Sequence, residues 1–432
     1  MSAMPAPAAS QPFPCAASAA TGRPAGHQAH RQGLVTARNR QADREDAGRS
    51  ARRLLRQGIS RLWQTASTCS SLAPFLTGVI SNWRLAATIP ISEFGCQRPA
   101  RSPAKPGGTV KMNSSTPIDL VILGSGMAGL AAAQLAAANG LRAAVFDKGR
   151  RIGGRVSTRR ADGFTFNHGA QFLTARHPDF VNSCDEAVAA GALRPWQVSG
   201  RDAFCGAPTM RDFPSFLGDG IEITQGAEIS RIESHDGLVA FHDDTGLVAT
   251  ARQAVITAPA PQAQRLLADA APELATTAAS ATYAPCWTAM LGFDADALPE
   301  HAAPIHEKSG PVGWGVWEAH RPGAAAQDGA ALTVQAAPDW SEEHLEQDQA
   351  PVAEAMLAAW QVASGTALRR PRHMAAHRWR YARVITAADA DAPRISASGR
   401  IALAGDWLAG ARVEDAWLSG RMAIERLAAV AA

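Results

Sequence analysis

Gly124, Gly126 and Gly129 stand at the spacing with which a backbone can wrap a diphosphate, and Asp147 stands where a carboxylate can meet a ribose. All four lie in one stretch, DLVILGSGMAGLAAAQLAAANGLRAAVFDKGRRIGGRVSTRR at 119–160. The first glycine permits a tight strand-to-helix turn, the second lets backbone N–H groups approach an anion, and the third lets the helix pack closely on the sheet. The N–H groups around Met127 and Ala128 then face the phosphates from the helix N-terminus. Asp147 comes 18 residues after Gly129, where an acid at the tip of the second strand accepts hydrogen bonds from ribose hydroxyls. Just beyond it, Arg151 and Arg155 bracket Gly153 and Gly154, two guanidiniums that can bridge phosphate oxygens beside a backbone open to close approach. With Lys148 and Ile229, these residues make up the nucleotide-binding set expected from the first half of the chain.

Such a loop needs a strand, a helix and a second strand around it, and the apolar runs at 120–123 and 143–146 flank a helix-like segment ending at Asn139 and Gly140. This is the βαβ start of a dinucleotide-binding domain. Further on, 164–172 reads as a strand running into a glycine turn, 178–190 and 208–217 as helices, and 221–232, 237–242 and 254–257 as strands. Ala258-Pro259-Ala260-Pro261 then directs the chain out of the sheet. Residues 262–392 hold six of the 11 tryptophans and both tyrosines. Strand candidates there at 288–293, 313–317, 331–335 and 377–381, with a helix at 342–363, suggest an antiparallel sheet. An apolar strand at 399–404 and a last helix after residue 411 close the chain. The expected division is 112–175, 207–261 and 393–432 for the nucleotide domain, and 176–206 with 262–392 for a substrate domain.

At 432 residues, 46% hydrophobic and 19% charged, the chain suits a globular protein with two large cores. No apolar run approaches the roughly 18 residues of a membrane span. The formal charge of +3 conceals an asymmetry: residues 1–111 carry 15 Lys and Arg against 4 Asp and Glu, leaving 27 against 35 for the remainder. That leader lacks sustained apolar periodicity and reads as a disordered basic tail. Arg-rich leaders resemble organellar transit peptides, and basic tails can bind nucleic acid or anionic lipid. The reading preferred here is that Met112 is the true start, so a chain beginning there is expected to bind its cofactor fully. Cysteines form no CxxC pair or disulfide-like framework, and no metal-ligand spacing or P-loop is present. A cytoplasmic protein with no metal, no nucleic-acid partner and no membrane association is expected; the sequence sets no oligomeric state.

The order of dinucleotide motif, acid and RxGGR resembles the flavin-containing amine oxidase superfamily. Within it, FNHGAQF at 166–172, TAPAPQAQRLL at 257–267, YAPCW at 283–287 and AGDWLAGARVEDAWLSG at 404–420 are similar to the renalase-like branch, over nearly all of residues 117–430. The resemblance implies an α/β fold, a Rossmann-type FAD-binding domain joined to an antiparallel-sheet substrate domain. It also implies that 404–420 is the second flavin motif. Asp406 would accept hydrogen bonds from ribityl hydroxyls, and the helix start at Val413, Glu414 and Ala416 would point N–H groups at the edge of the isoalloxazine where negative charge accumulates. Covalent attachment in some relatives uses a cysteine near this motif, whereas the last cysteine here is Cys286; noncovalent FAD is expected.

By the same resemblance the activity is oxidation of isomeric, non-standard dihydronicotinamide dinucleotides, with O2 as acceptor. Hydride transfer of this kind needs stacking and orientation rather than a strong base. Candidate groups are Trp379 and Tyr381, which share a strand face with His377, and a neighbouring arginine, Arg378 or Arg380, for a ligand phosphate. His168 and Gln171 follow the glycine-rich segment, and Gln171 can donate to a flavin carbonyl. Trp287 reads as core. Amine oxidases place a lysine on the substrate-domain strand beneath the flavin, but 283–293 has none, and Lys148 and Lys308 are the only lysines beyond Met112. The alternatives are a true amine oxidase acting on a small amine, a desaturase-type flavoenzyme, and a flavin-binding protein without activity.

Overall fold

The computed structural model describes residues 117–431; the expectation of a disordered leader lies outside them. β1 (Ile118–Leu123), α1 (Met127–Ala138) and β2 (Ala143–Asp147) form the βαβ unit read from the sequence. There follow the hairpin β3 (Arg159–Ala161) and β4 (Phe164–Phe166), α2 (Pro178–Ala189), the hairpin β5 (Leu193–Val198) and β6 (Arg201–Gly206), and α3 (Asp212–Leu217). β7 (Ile223–Gln225), β8 (Arg231–His235), β9 (Leu238–Asp243) and β10 (Gly246–Ile256) return the chain to the first sheet. Its order is β7-β2-β1-β10-β9-β8. β10 serves two partners: its first half runs antiparallel to β9, and its second half lies parallel to β1.

α4 (Ala260–Leu267) and α5 (Pro272–Ala279) lead to a second sheet. β11 (Thr282–Phe293), β12 (Ile305–His306), β13 (Trp314–Trp317), β14 (Ala330–Gln335) and β15 (His373–Thr386) form it in the order β12-β13-β14-β11-β15, antiparallel throughout. α6 (Pro338–Glu343) and α7 (Gln349–Ser364) are inserted before β15. α7 covers the sheet with Val352, Ala353, Met356 and Trp360, packed in one core with Trp287 and Leu291. β16 (Ile401–Leu403) then pairs in parallel with β10, and α8 (Val413–Ala431) ends the described chain. The fold is thus a Rossmann-like α/β unit with an antiparallel-sheet companion, as the sequence implied.

Two local expectations are corrected and one element is added. The single strand expected at 221–232 is broken into β7 and β8, with Gly226 at φ +75° in the turn between them. The helix expected at 342–363 is two helices, because Pro351 has no N–H and its ring would clash with the preceding turn of a continuous helix; it is tolerated only within the first turn of α7. The β5–β6 hairpin was not foreseen. Pro195 argues against a strand interior, yet it lies on β5, whose only ladder partner is β6, and Ser199 and Gly200, both at positive φ, make the two-residue turn.

Among the described residues no helix is long and apolar enough to cross a membrane, and no cluster of three His, Cys, Asp or Glu side chains could hold a metal ion.

Candidate flavin and substrate site

The loop between β1 and α1 is built so that only glycine fits where the backbone is crowded. Gly124 has φ +109°, and a Cβ there would lie 2.3 Å from Thr257 Oγ1; a Cβ on Gly129 would lie 1.9 Å from the Gly124 carbonyl oxygen. Gly126 is different: a Cβ there would meet no protein atom within 4 Å. No side chain caps the N-terminus of α1 and no acid sits in its first turn, so its leading N–H groups and positive dipole end have no internal partner. The RIGGR loop closes over this point, with Gly153 N donating to Ser125 O at 2.9 Å and the Cβ position of Gly154 3.3 Å from Gly126 Cα. Asp147 ties the two loops together, accepting from Ser125 Oγ at 2.7 Å and Gly149 N at 2.6 Å.

The remaining members of the expected nucleotide set are spread more widely. Met127 and Ala128 are buried in the first turn of α1. Lys148 is exposed and 3.7 Å from Glu228. Ile229 is buried in the apolar cluster that holds Leu123 and Phe146. Arg151 is exposed.

The second motif arrives on β16. Gly405, at φ +148°, has its Cβ position 2.4 Å from Trp407 Nε1, and the fully buried Trp407 donates to Ala258 O at 3.2 Å. Asp406 therefore emerges at a fixed place, and its carboxylate meets Arg155 at 2.6 Å. Arg155 also donates to Ala382 O on β15 at 3.1 Å. One guanidinium thus joins the RIGGR loop, the C-terminal motif and the second sheet. Burial opposes its charge, but the Asp406 carboxylate outweighs that and holds it protonated. Val413 and Ala416 are half-buried at the start of α8. The buried Glu414 accepts from Arg176 N at 2.7 Å and His177 N at 2.6 Å, and so anchors the approach to α2. A Cβ on Gly420 would lie 2.0 Å from Ala128 O, which is how closely α8 crosses α1.

β15 and the turn after β4 make the third wall. Trp379 Nε1 donates to His168 O at 2.8 Å and the indole stacks on the imidazole, centroids 5.3 Å apart at 29°. His377 sits edge-on to both rings, at 5.2 Å from His168 and 4.5 Å from Trp379. Ser157 Oγ lies 3.2 Å from His168 Nε2. Burial, then the positive fields of His377, Arg159 and Arg211, push the His168 pKa down to about 3. His377 is lowered by burial and by Arg159. Both rings are therefore neutral near pH 7. Tyr381 points elsewhere, packing 5.6 Å from Tyr283, whose hydroxyl accepts from Ala260 N.

Gln171 already uses its amide: Nε2 donates to Asn167 O and to Gly169 O at 3.0 Å, and Oε1 accepts from Arg321 at 3.2 Å. A flavin carbonyl would have to displace one of these donations. Arg378 and Arg380, from which a ligand-phosphate contact was expected, both meet the exposed Glu346, at 3.1 Å and 2.6 Å. Sequence reading missed Glu318 and Arg321, a buried pair 3.6 Å apart. Glu318 accepts from Asn167 N and Asn167 Nδ2, each at 2.7 Å, and from Thr333 Oγ1 at 2.6 Å, and so grips the 167–171 turn from behind. Their only sequence signal is a Glu and an Arg three apart after the apolar run 312–317.

Residues 192–428 match the family model for flavin-containing amine oxidoreductases, and residues 122–187 match that for NAD(P)-binding Rossmann-like domains. The first match alone spans more than half of the chain. The protein belongs to the flavin-containing amine oxidoreductase family. Its fold is similar to those of cyclohexylamine oxidase from Brevibacterium oxydans IH-35A and of putrescine oxidase bound to putrescine. Both have a TM-score of 0.55 and 13% identity, over 73% of this chain and 100% of theirs. An Exiguobacterium sp. 255-15 protein described as a protoporphyrinogen oxidase has a TM-score of 0.55 and 17% identity, over 72% of this chain and 99% of its own. A 50-residue segment is 44% identical to a 4,4'-diapophytoene desaturase of Staphylococcus haemolyticus (strain JCSC1435), covering 12% of this chain and 10% of that protein.

The chain is an FAD-dependent oxidoreductase, and the residues present fit that cofactor. The open space at Gly126, the uncapped helix and the Gly154 contact would hold its diphosphate, and Asp147 and Asp406 would be the acceptors for its sugar hydroxyls.

Proposed function

We propose that this flavoenzyme oxidises isomeric dihydronicotinamide dinucleotides to the corresponding NAD(P)+, with O2 as electron acceptor and H2O2 as second product. The proposal includes the division into an FAD domain (112–175, 207–261 and 393–432) and a substrate domain (176–206 and 262–392). FAD, when bound, supplies a two-electron acceptor for hydride and a route from there to O2. In balance, the dihydropyridine loses a hydride, and O2 gains two electrons and two protons, one proton coming from solvent.

The observation that carries this reading is the character of the wall around His168: aromatic, neutral at its rings and flanked by guanidiniums. Trp379 and His377 offer flat surfaces for a pyridine ring. After burial and His377, the positive charges of Arg159 and Arg211 also lower the His168 pKa. Two buried carboxylates around it, Glu318 and Asp406, are engaged by Arg321 and Arg155. A protonated amine would find these two carboxylates already paired with arginines, whereas a dinucleotide brings an aromatic ring and phosphates. The absence of lysine from β11 supports the same choice. His168, with its pKa held near 3, is too weak a base to abstract a proton at pH 7; its part is to position Trp379.

The test is anaerobic reduction of the purified yellow holoenzyme, first with isomerised NADH and NADPH preparations and then with small primary amines such as cyclohexylamine and putrescine. Bleaching by the dihydronicotinamides alone, with H2O2 released on admitting air, is expected. Bleaching by the amines alone would overturn the reading in favour of an amine oxidase.

A further inference from the structure

We propose that Gln335 is a specificity-determining residue of the substrate site, its side-chain oxygen accepting a hydrogen bond from the carboxamide N–H of the dihydropyridine ring; this deepens the function proposed above and rests on it. Gln335 ends β14 and lies opposite Thr288 on β11, which in turn lies opposite His377 on β15. Directly opposed residues of an antiparallel sheet share a face. Gln335, Thr288 and His377 therefore form one row, and Trp379, two residues along β15 from His377, stands on the same face. Thr288 is fully buried, while Gln335, His377 and Trp379 are half-buried. The His168 carbonyl joins the two ends of the row: Trp379 Nε1 donates to it at 2.8 Å and Gln335 Nε2 reaches it at 3.5 Å. The Gln335 amide is thus set beside the indole proposed to carry the pyridine ring.

The orientation of that amide is fixed by its neighbours. Nε2 also donates to Gly169 O at 2.8 Å and lies 3.5 Å from Thr288 Oγ1. Backbone carbonyls only accept, so the amide cannot turn over without setting its own oxygen against them. Its Oε1 is the free end: it has no hydrogen-bond partner among the described residues and is open to solvent. Gln171, by contrast, uses both ends of its amide within the protein, Nε2 on Asn167 O and Gly169 O and Oε1 on Arg321. Gln335 therefore offers the site an oriented acceptor with its donor already committed. A primary carboxamide on the ring supplies the matching N–H. A substituent of similar shape without that N–H leaves the acceptor unpaired once the ring covers it, the kind of mismatch that separates analogues strongly. Nor does the turn depend on Gln335, since Gly169 O keeps Gln171 Nε2 at 3.0 Å and His168 O keeps Trp379 Nε1 when it is removed.

The test compares two ring substituents in anaerobic reduction of the FAD-loaded protein. Dihydro isomers made by borohydride reduction of NAD+ carry the carboxamide. Those made in the same way from acetylpyridine adenine dinucleotide carry a methyl ketone in its place, with the same charge and no N–H. In Gln335→Leu the kred/Kd for the carboxamide isomers is expected to fall at least tenfold, and for the ketones to change less than about threefold, with FAD content as in the parent. Gln335→Met, closer to glutamine in length and unbranched, takes its place should the leucine variant fail to fold. Equal losses on both substrates would mean that Gln335 only supports the turn, and undiminished reduction by the carboxamides would mean that it contributes nothing; either result overturns the proposal. Failure of the function itself reads differently. A parent protein that the carboxamide isomers do not bleach loses function and specificity residue together, whereas a bleached parent with equal losses in the variant keeps the function and removes only the role of Gln335.

Discussion

His168 is defined by what surrounds it rather than by its own chemistry. Above about pH 6.5 the folded and unfolded chains both carry a neutral imidazole there, so it adds no pH dependence. Below that value the unfolded chain takes up a proton that the folded chain refuses until about pH 3, and stability falls as pH drops through this window. The slope from this group is at most about 1.4 kcal/mol per pH unit. Thermal midpoints of His168→Gln measured across the acid range are expected to fall less steeply than those of the parent; parallel curves would show that the imidazole is not held neutral. Glu318 offers a second test. Replacing it with Ala leaves Arg321 buried and unpaired, an expected cost of about 3–5 kcal/mol by chemical denaturation. Removing the exposed Glu346 should leave stability almost unchanged, because its two arginines return to water. For Trp379→Ala, the expected result is unaltered FAD content with a raised KM or slower flavin reduction by dihydronicotinamides; an unchanged reductive step would remove Trp379 from the substrate wall.

Elements position these residues through close backbone approach, and two glycines separate cofactor binding from folding. Gly126 has φ −75° and open space around its Cβ position, so Gly126→Ala should fold normally and still bind FAD at least tenfold more weakly, because the methyl group enters the diphosphate's space. Gly420→Ala should damage both, since its Cβ would press on Ala128 O at 2.0 Å and force α8 away from α1, on the order of 1–3 kcal/mol for overpacking. FAD affinity in Gly126→Ala equal to the parent's would displace the cradle from this loop. The βαβ unit was legible in sequence because its signals are local: an apolar run, three glycines at set spacing, an acid at the strand tip. The break before α7 was legible too, had Pro351 been weighed against helical periodicity. The β5–β6 hairpin was harder, since Pro195 obscured it and its polar alternation resembles a loop.

At the scale of the molecule, Arg155 is the point where the two sheets and the C-terminal motif meet. Asp406→Ala removes its carboxylate, and the expected result is lower FAD retention together with a lower thermal midpoint. Adding Arg155→Met to that variant should cost less than it does in the parent, a coupling of about 1 kcal/mol or more in a double-mutant cycle. Additive losses would mean that the two side chains act separately. The fold class was settled by the amino-acid sequence, and the glycine pattern and the Gly405-Asp406 pair were legible in it, because each depends on residue type at short spacing. Which polar groups meet was decided only by tertiary structure. Glu318 reaches Asn167 across 151 positions and Arg155 reaches Asp406 across 251, and no local pattern encodes such distances. The same holds for the arginines. On the strand, Arg378 and Arg380 were the evident phosphate candidates, and only folding set Glu346 beside them.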